Sequence, residues 1–155
     1  MQILYKKGMT LMELLIVFAV IGLLVAVVAP QFYSMRENQV VRSGAQDIVT
    51  ALNKAKAGAL GGADSSEYGV RFEPEQVIVF KGILFSVSDP LNEVYPVVSP
   101  ATISNVTLGG MSGSNGELYF NRISGTPSKT GTVTVSSSSM SQIITISATG
   151  AVSLE

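Results

Sequence analysis

Between Met9 and Ala29 lie 21 residues, of which only Thr10 and Glu13 are neither apolar nor glycine. As a helix rising about 1.5 Å per residue, such a stretch reaches roughly 30 Å, the thickness of a bilayer's hydrocarbon core. Whatever the rest of the chain folds into, this segment calls for a membrane or an apolar assembly around it. Glu13 is then the anomaly. On insertion scales an acidic group costs about 2.5–3.5 kcal/mol at the centre of a spanning helix and less near its end, so intramembrane carboxylates mark function and imply a partner.

The residues alone leave several readings open. The apolar run is longer than that of a secretory signal peptide, and it ends at Ala29-Pro30-Gln31-Phe32 without a small-x-small cleavage site. A plain membrane anchor fits, with Glu13 snorkelling to the interface. Lys6 and Lys7 precede the apolar run and no base follows it closely, which puts the N-terminus on the cytoplasmic side and the polar remainder across the membrane.

The stretch Lys7-Gly8-Met9-Thr10-Leu11-Met12-Glu13-Leu14-Leu15-Ile16-Val17 resembles the class III leader of type IV pilins and type II secretion pseudopilins. The likeness covers Lys6 to Phe32. It implies that a prepilin peptidase recognises Lys6, Lys7 and Gly8, cuts between Gly8 and Met9, and methylates the new amino terminus on Met9. It also implies that Glu13, fifth in the processed chain, pairs with the terminal amine of a neighbouring subunit. Other pilin or pseudopilin subunits, an inner-membrane assembly platform and the membrane itself are the partners that follow. The physics agrees with that role: a carboxylate and an ammonium meeting in a low-dielectric core relieve each other's burial and fix axial register.

Pro30 falls where the helix would continue, and proline in a helix interior removes a hydrogen bond and crowds the carbonyl four residues back. The pilin resemblance makes Gly22 and Pro30 the brackets of a segment that loosens in the filament; a static kink at the membrane boundary fits equally. Beyond Pro30, Val41, Ala45, Ile48, Leu52, Ala55 and Ala59 recur at spacings of four and three, an amphipathic stripe of small residues that something flat must approach closely. Gly58, Gly61 and Gly62 are expected to end the helix. The expected division is a leader at 1–8, a transmembrane and filament-core helix at 9–32, its amphipathic half at 33–62, and a β domain at 63–155.

From Tyr68 onward strand signals replace helical ones. Strands are expected at 68–72, 76–80, 83–87, 94–98, 103–108, 117–121, 131–135, 142–147 and 151–154, with loops at 86–92, 109–116, 124–130 and 136–141. The fold class is therefore α+β, a long helix over about 10–60 whose C-terminal half packs on an antiparallel sheet or sandwich. Val70-Arg71-Phe72, Leu118-Tyr119-Phe120-Asn121 and Ile144-Thr145-Ile146 carry a resemblance to H-type pseudopilins and T-type fimbrial minor pilins. Some T-type members bind DNA through arginines after a final glycine. Here Gly150 is followed by Ala151-Val152-Ser153-Leu154-Glu155, without a base, so nucleic acid is not an expected partner.

Composition narrows the chemistry further. Histidine and cysteine are both absent, which removes the commonest general base, the commonest metal ligand and all thiol chemistry. No enzymatic activity and no cofactor are expected. Asp64 with Glu67, and Glu73 with Glu75, are too few oxygens for a calcium site. Gly109 to Gly116 lacks the following helix and Lys-Ser/Thr of a phosphate loop. Asn105-Val106-Thr107 is a bare glycosylation sequon. The expected function is a structural subunit of a type IV pilus or type II secretion pseudopilus, in the inner membrane and then in an extracytoplasmic filament. The alternatives are a tip-located minor pilin binding DNA or a surface, and a membrane-anchored extracytoplasmic domain without a filament.

Overall fold

The computed structural model describes residues 9–155, the side chains at 29–31, 33, 34 and 63 excepted. One helix, α1, runs Leu11–Leu60, and nine strands follow: β1 Tyr68–Glu73, β2 Gln76–Lys81, β3 Glu93–Pro96, β4 Thr102–Leu108, β5 Met111–Gly113, β6 Gly116–Phe120, β7 Gly131–Ser136, β8 Ser141–Ile146 and β9 Val152–Leu154. All registered pairs are antiparallel. The strands form a four-stranded sheet A, ordered β3-β2-β1-β6, and a five-stranded sheet B, ordered β5-β4-β7-β8-β9. The protein is α+β. The chain divides into two compact units, Met1–Arg36 and Glu37–Glu155.

The second unit holds the core. The stripe expected on the helix is the buried one: Val41, Ala45, Ile48, Leu52, Ala55 and Ala59 are all fully buried, and Ala51 joins them. Sheet A meets this stripe with Val70, Phe72, Val77, Val79, Leu118 and Phe120, and sheet B adds Ile103, Val106, Val133, Val135, Ile144 and Ile146. Alanines on the helix let the larger sheet residues approach, giving the interlocking of large and small that dense interiors need.

Strand β4 shows how register serves this core. Its apolar residues are spaced three and then two apart, which simple alternation cannot place on one face. The register with β7 shifts between Ile103 and Asn105, a bulge at Ser104. That extra residue changes the parity, so Ile103 before it and Val106 and Leu108 after it are all buried.

Three expectations need correction. Residues 83–87 are not a strand: the chain from Gly82 to Asn92 is irregular, turned out of β2 at Gly82, where φ is 102°. The reason lies on the outer face of sheet A, where Phe80 sits beside Gly69 on the paired strand. A Cβ on Gly69 would come within 2.2 Å of the Phe80 ring, so only glycine leaves room. Phe85 packs edge-on to Phe80 with ring centroids 5.6 Å apart, and the Arg71 guanidinium lies 4.8 Å from the centre of the Phe85 ring. Arg71 is itself held by Glu73 at 2.8 Å and Glu117 at 3.2 Å. Its apolar contacts make this segment a cover on a sheet face.

The loop expected at 109–116 contains β5, paired with β4 through Val106–Gly113, Thr107–Ser112 and Leu108–Met111. Its Gly and Ser content hid a short hairpin arm. Gly58, expected among the helix-ending glycines, lies inside α1; its missing side chain makes a flat seat for the Tyr68 ring, 3.1 Å from where a Cβ would be. The first left-handed residue after the helix is Gly62, with φ 59°.

Candidate functional site

Met9 precedes the helix and is exposed. The next residue starts it. Thr10 Oγ1 accepts a hydrogen bond from the Glu13 backbone N–H at 3.2 Å, and the Thr10 carbonyl accepts the N–H of Leu14 at 3.1 Å. Thr10 is thus the N-cap, satisfying one of the four amides that a helix start leaves without an intrahelical partner. Glu13 sits three residues on, in the first turn, where the positive end of the helix dipole favours a carboxylate. The sequence signal for this was present in Thr10-Leu11-Met12-Glu13, the Ser/Thr-x-x-Glu pattern of a helix start. Reading Glu13 only as an isolated intramembrane acid passed over Thr10.

From Leu11 to Val28 the helix is long and apolar enough to cross a membrane by length and composition. Its large apolar side chains, Leu11 and Leu15 through Leu23 to Val27, are exposed on every side. A helix that is apolar all round is one that is surrounded by lipid or by other protein. Gly22 lies in this stretch, with nothing within 4 Å of where a Cβ would stand. The helix continues through Gly22 and Pro30. Pro30, having no N–H, leaves the carbonyl of Ala26 without its usual helical donor. Lys6, Lys7 and Gly8 lie outside the described residues.

Of the acidic residues weighed in the sequence, Asp64 and Glu73 are engaged in local pairs. Asp64 meets Lys81 at 3.0 Å, and Glu73 accepts from Arg71 and from Gln76 at 2.8 Å. Those hydrogen bonds hold the Glu73 carboxyl below the usual carboxylate range, Arg71 first and Gln76 second. Glu93 is lowered likewise, by Lys54 and then by the Tyr95 hydroxyl. Asn105 and Thr107 are neighbours on one face of β4, the amide donating to the hydroxyl at 3.3 Å. Among the described residues, no group of three or more acidic side chains is placed to hold a metal ion.

Against known families, residues 4–29 match the prokaryotic N-terminal methylation motif. That motif is the prepilin signal of type IV pilins and pseudopilins, and it covers the capped helix start and most of the apolar helix. The match supports a type IV pilin-like or pseudopilin precursor, and the apolar helix is consistent with anchoring in a membrane. Neither a curated protein nor a solved structure matches it significantly.

Proposed function

We propose that this protein is a structural subunit of a type IV pilus or a type II secretion pseudopilus. The observation that carries the reading is one continuous stretch: the prepilin signal at 4–29 opens a capped helix with an acid in its first turn and exposed apolar residues behind it. In this reading a prepilin peptidase recognises Lys6, Lys7 and Gly8 and cleaves between Gly8 and Met9. The freed amine of Met9 is methylated and keeps its positive charge. The processed chain rests in the inner membrane with its N-terminus cytoplasmic until an assembly platform extracts it into the filament. There the Glu13 carboxylate of one subunit meets the Met9 ammonium of a neighbour.

The pairing explains the carboxylate's cost. An acid alone in an apolar core is expensive, and an ammonium alone is too; each relieves the other, and the requirement that they meet sets how far one helix advances past the next. Gly22, within the apolar stretch, and Pro30, just past it, are the places where the helix is expected to loosen, through backbone freedom and a missing donor, and extraction would draw on both.

Mass spectrometry of the protein from its own cells tests this directly. The expected N-terminus is methylated Met9. A chain that keeps residues 1–8, with Gly8 still joined to an unmethylated Met9, would sink the filament reading and leave a membrane anchor.

A further inference from the structure

The Glu37–Glu155 unit carries a second surface that the N-terminal helix does not explain. Sheet A ends on β3 at one side, and the segment from Gly82 through β3 to Val98 exposes several large aliphatic side chains: Leu84 is 75% and Val87 83% exposed, with Ile83, Leu91, Val94 and Val98 also open. Phe85 points inward to hold this segment on the sheet, so the display is a built one. Several exposed aliphatics on one segment beside a sheet-edge strand mark a candidate interaction surface.

The other side of the same sheet ends on β6, and residues 126–128 run along it: Ser128 N–H donates to the Tyr119 carbonyl at 2.8 Å, and Pro127 bridges Phe120. The chain between, at Ile123, holds its side chain 72% exposed on a backbone with φ 70°. A β-branched residue rarely adopts that conformation; here the Ile123 N–H is committed to the Ala59 carbonyl at 3.0 Å, which fixes the projecting side chain.

The two borders are also opposite in charge. Residues 82–98 carry Asp89 and Glu93 and no base, whereas 121–130 carry Arg122 and Lys129 and no acid. Glu93 is paired with Lys54, but Asp89 receives only the backbone amide of Leu91. Arg122 and Lys129 donate to the backbone carbonyls of Ser65 and Glu117. Among the described residues, half-buried Asp89 and exposed Arg122 and Lys129 thus have no ionic partner, and they stand with opposite sign at the two borders of one sheet.

We propose that the 82–98 border of one copy of this chain docks head to tail on the 121–130 border of a second copy, aliphatic on Ile123 and Asp89 toward Arg122 and Lys129. The inference rests on the filament reading above. A contact between two unlike patches repeats without closing on itself, which is the property a filament needs. A contact of the 82–98 border with its own copy would bring acid against acid.

The absence of native cysteine makes the test clean. Full-length chains carrying L84C, I123C or both are expressed in the native cell and treated with a short flexible bismaleimide. The double variant is expected to give a ladder of covalent multimers, the two singles mixed to give dimers only, and either single alone to give none. Dimers from L84C alone would overturn the proposal in favour of a like-to-like contact. Processed, sedimenting filaments without any Leu84–Ile123 ladder would overturn it and leave the filament reading standing, whereas chains retaining residues 1–8 would overturn both. Added to the double variant, Asp89→Lys or Lys129→Glu should each lower the ladder yield roughly tenfold, and the two together should restore it. Failure of the pair to restore yield, with circular dichroism showing folded protein, would remove the ionic part of the proposal.

Discussion

Residues 11–28 and 37–60 belong to one helix, yet they differ in how its face is written. The first part is apolar all round, with Leu, Ile, Val and Phe open on every side. The second keeps its apolar residues to one stripe, mostly alanine, and covers it with two sheets. The difference teaches that the distribution of apolar side chains, more than helix propensity, separates the two parts, because it states what must surround them.

Removing a large core side chain should separate the parts most sharply. Phe72→Ala is expected to destabilise the Glu37–Glu155 unit by about 3–5 kcal/mol, since a fully buried ring leaves a cavity. Leu15→Ala should leave that unit's unfolding free energy within about 0.5 kcal/mol of the parent, measured by denaturant on the full chain in detergent. Equal losses from both would erase the distinction.

Glu13→Ala tests the other half of the comparison. The melt should be unchanged and Gly8–Met9 cleavage should persist, while incorporation into filaments falls, because a buried ammonium left without its carboxylate costs about 3–5 kcal/mol. Normal incorporation of this variant, scored in sheared filament fractions, would refute the register role. A smaller effect belongs to the cap. Thr10→Ala should weaken the first turn by about 0.5–2 kcal/mol, seen as faster amide exchange at Glu13, and Thr10→Ser should restore it.

The smallest effect concerns the junction end of the second unit. Ser139 and Ser138 donate to the Glu37 carboxylate at 2.6 and 2.9 Å, and these bonds hold its pKa below the ordinary 4.5. A carboxyl lowered in the folded state adds stability that is present above 4.5 and is lost as pH falls through the folded value. Glu37 remains in contact with solvent, so the consequence is local: amide exchange in the turn at 137–140, referred to its intrinsic rate, should quicken below that pH. Glu37→Gln should remove this pH dependence; retention of it would shift the cause to Glu73 or Glu93, whose carboxyls are lowered too.

Much of this was legible because the relevant signals are local. The helix stripe needs only the 3.6-residue period, and Val133, Val135, Ile144 and Ile146 need only alternation to declare their buried face. The Ser/Thr-x-x-Glu start was equally local and was overlooked beside the more conspicuous charge. The segment 83–87 was misread for a different reason. Ile-Leu-Phe-Ser-Val satisfies every local criterion for a strand, and what prevents one is a partner far along the chain: Gly69 opens the space, Phe80 fills it, and Phe85 with Arg71 closes over it.

The sequence by itself determined that residues 9–29 need an apolar surrounding, that an acid stands at the start of that helix, and that small side chains further along invite a close-packed sheet. Each follows from the side chains of neighbouring positions. Tertiary structure alone decided that nine strands divide into two sheets, that a bulge at Ser104 reconciles the spacing of Ile103 and Val106, and that sheet A carries aliphatic and acidic groups on one border and basic ones on the other. Those facts depend on which strands become neighbours, and pairing between residues distant in sequence is settled by burial and register over the whole unit, beyond what any single stretch encodes.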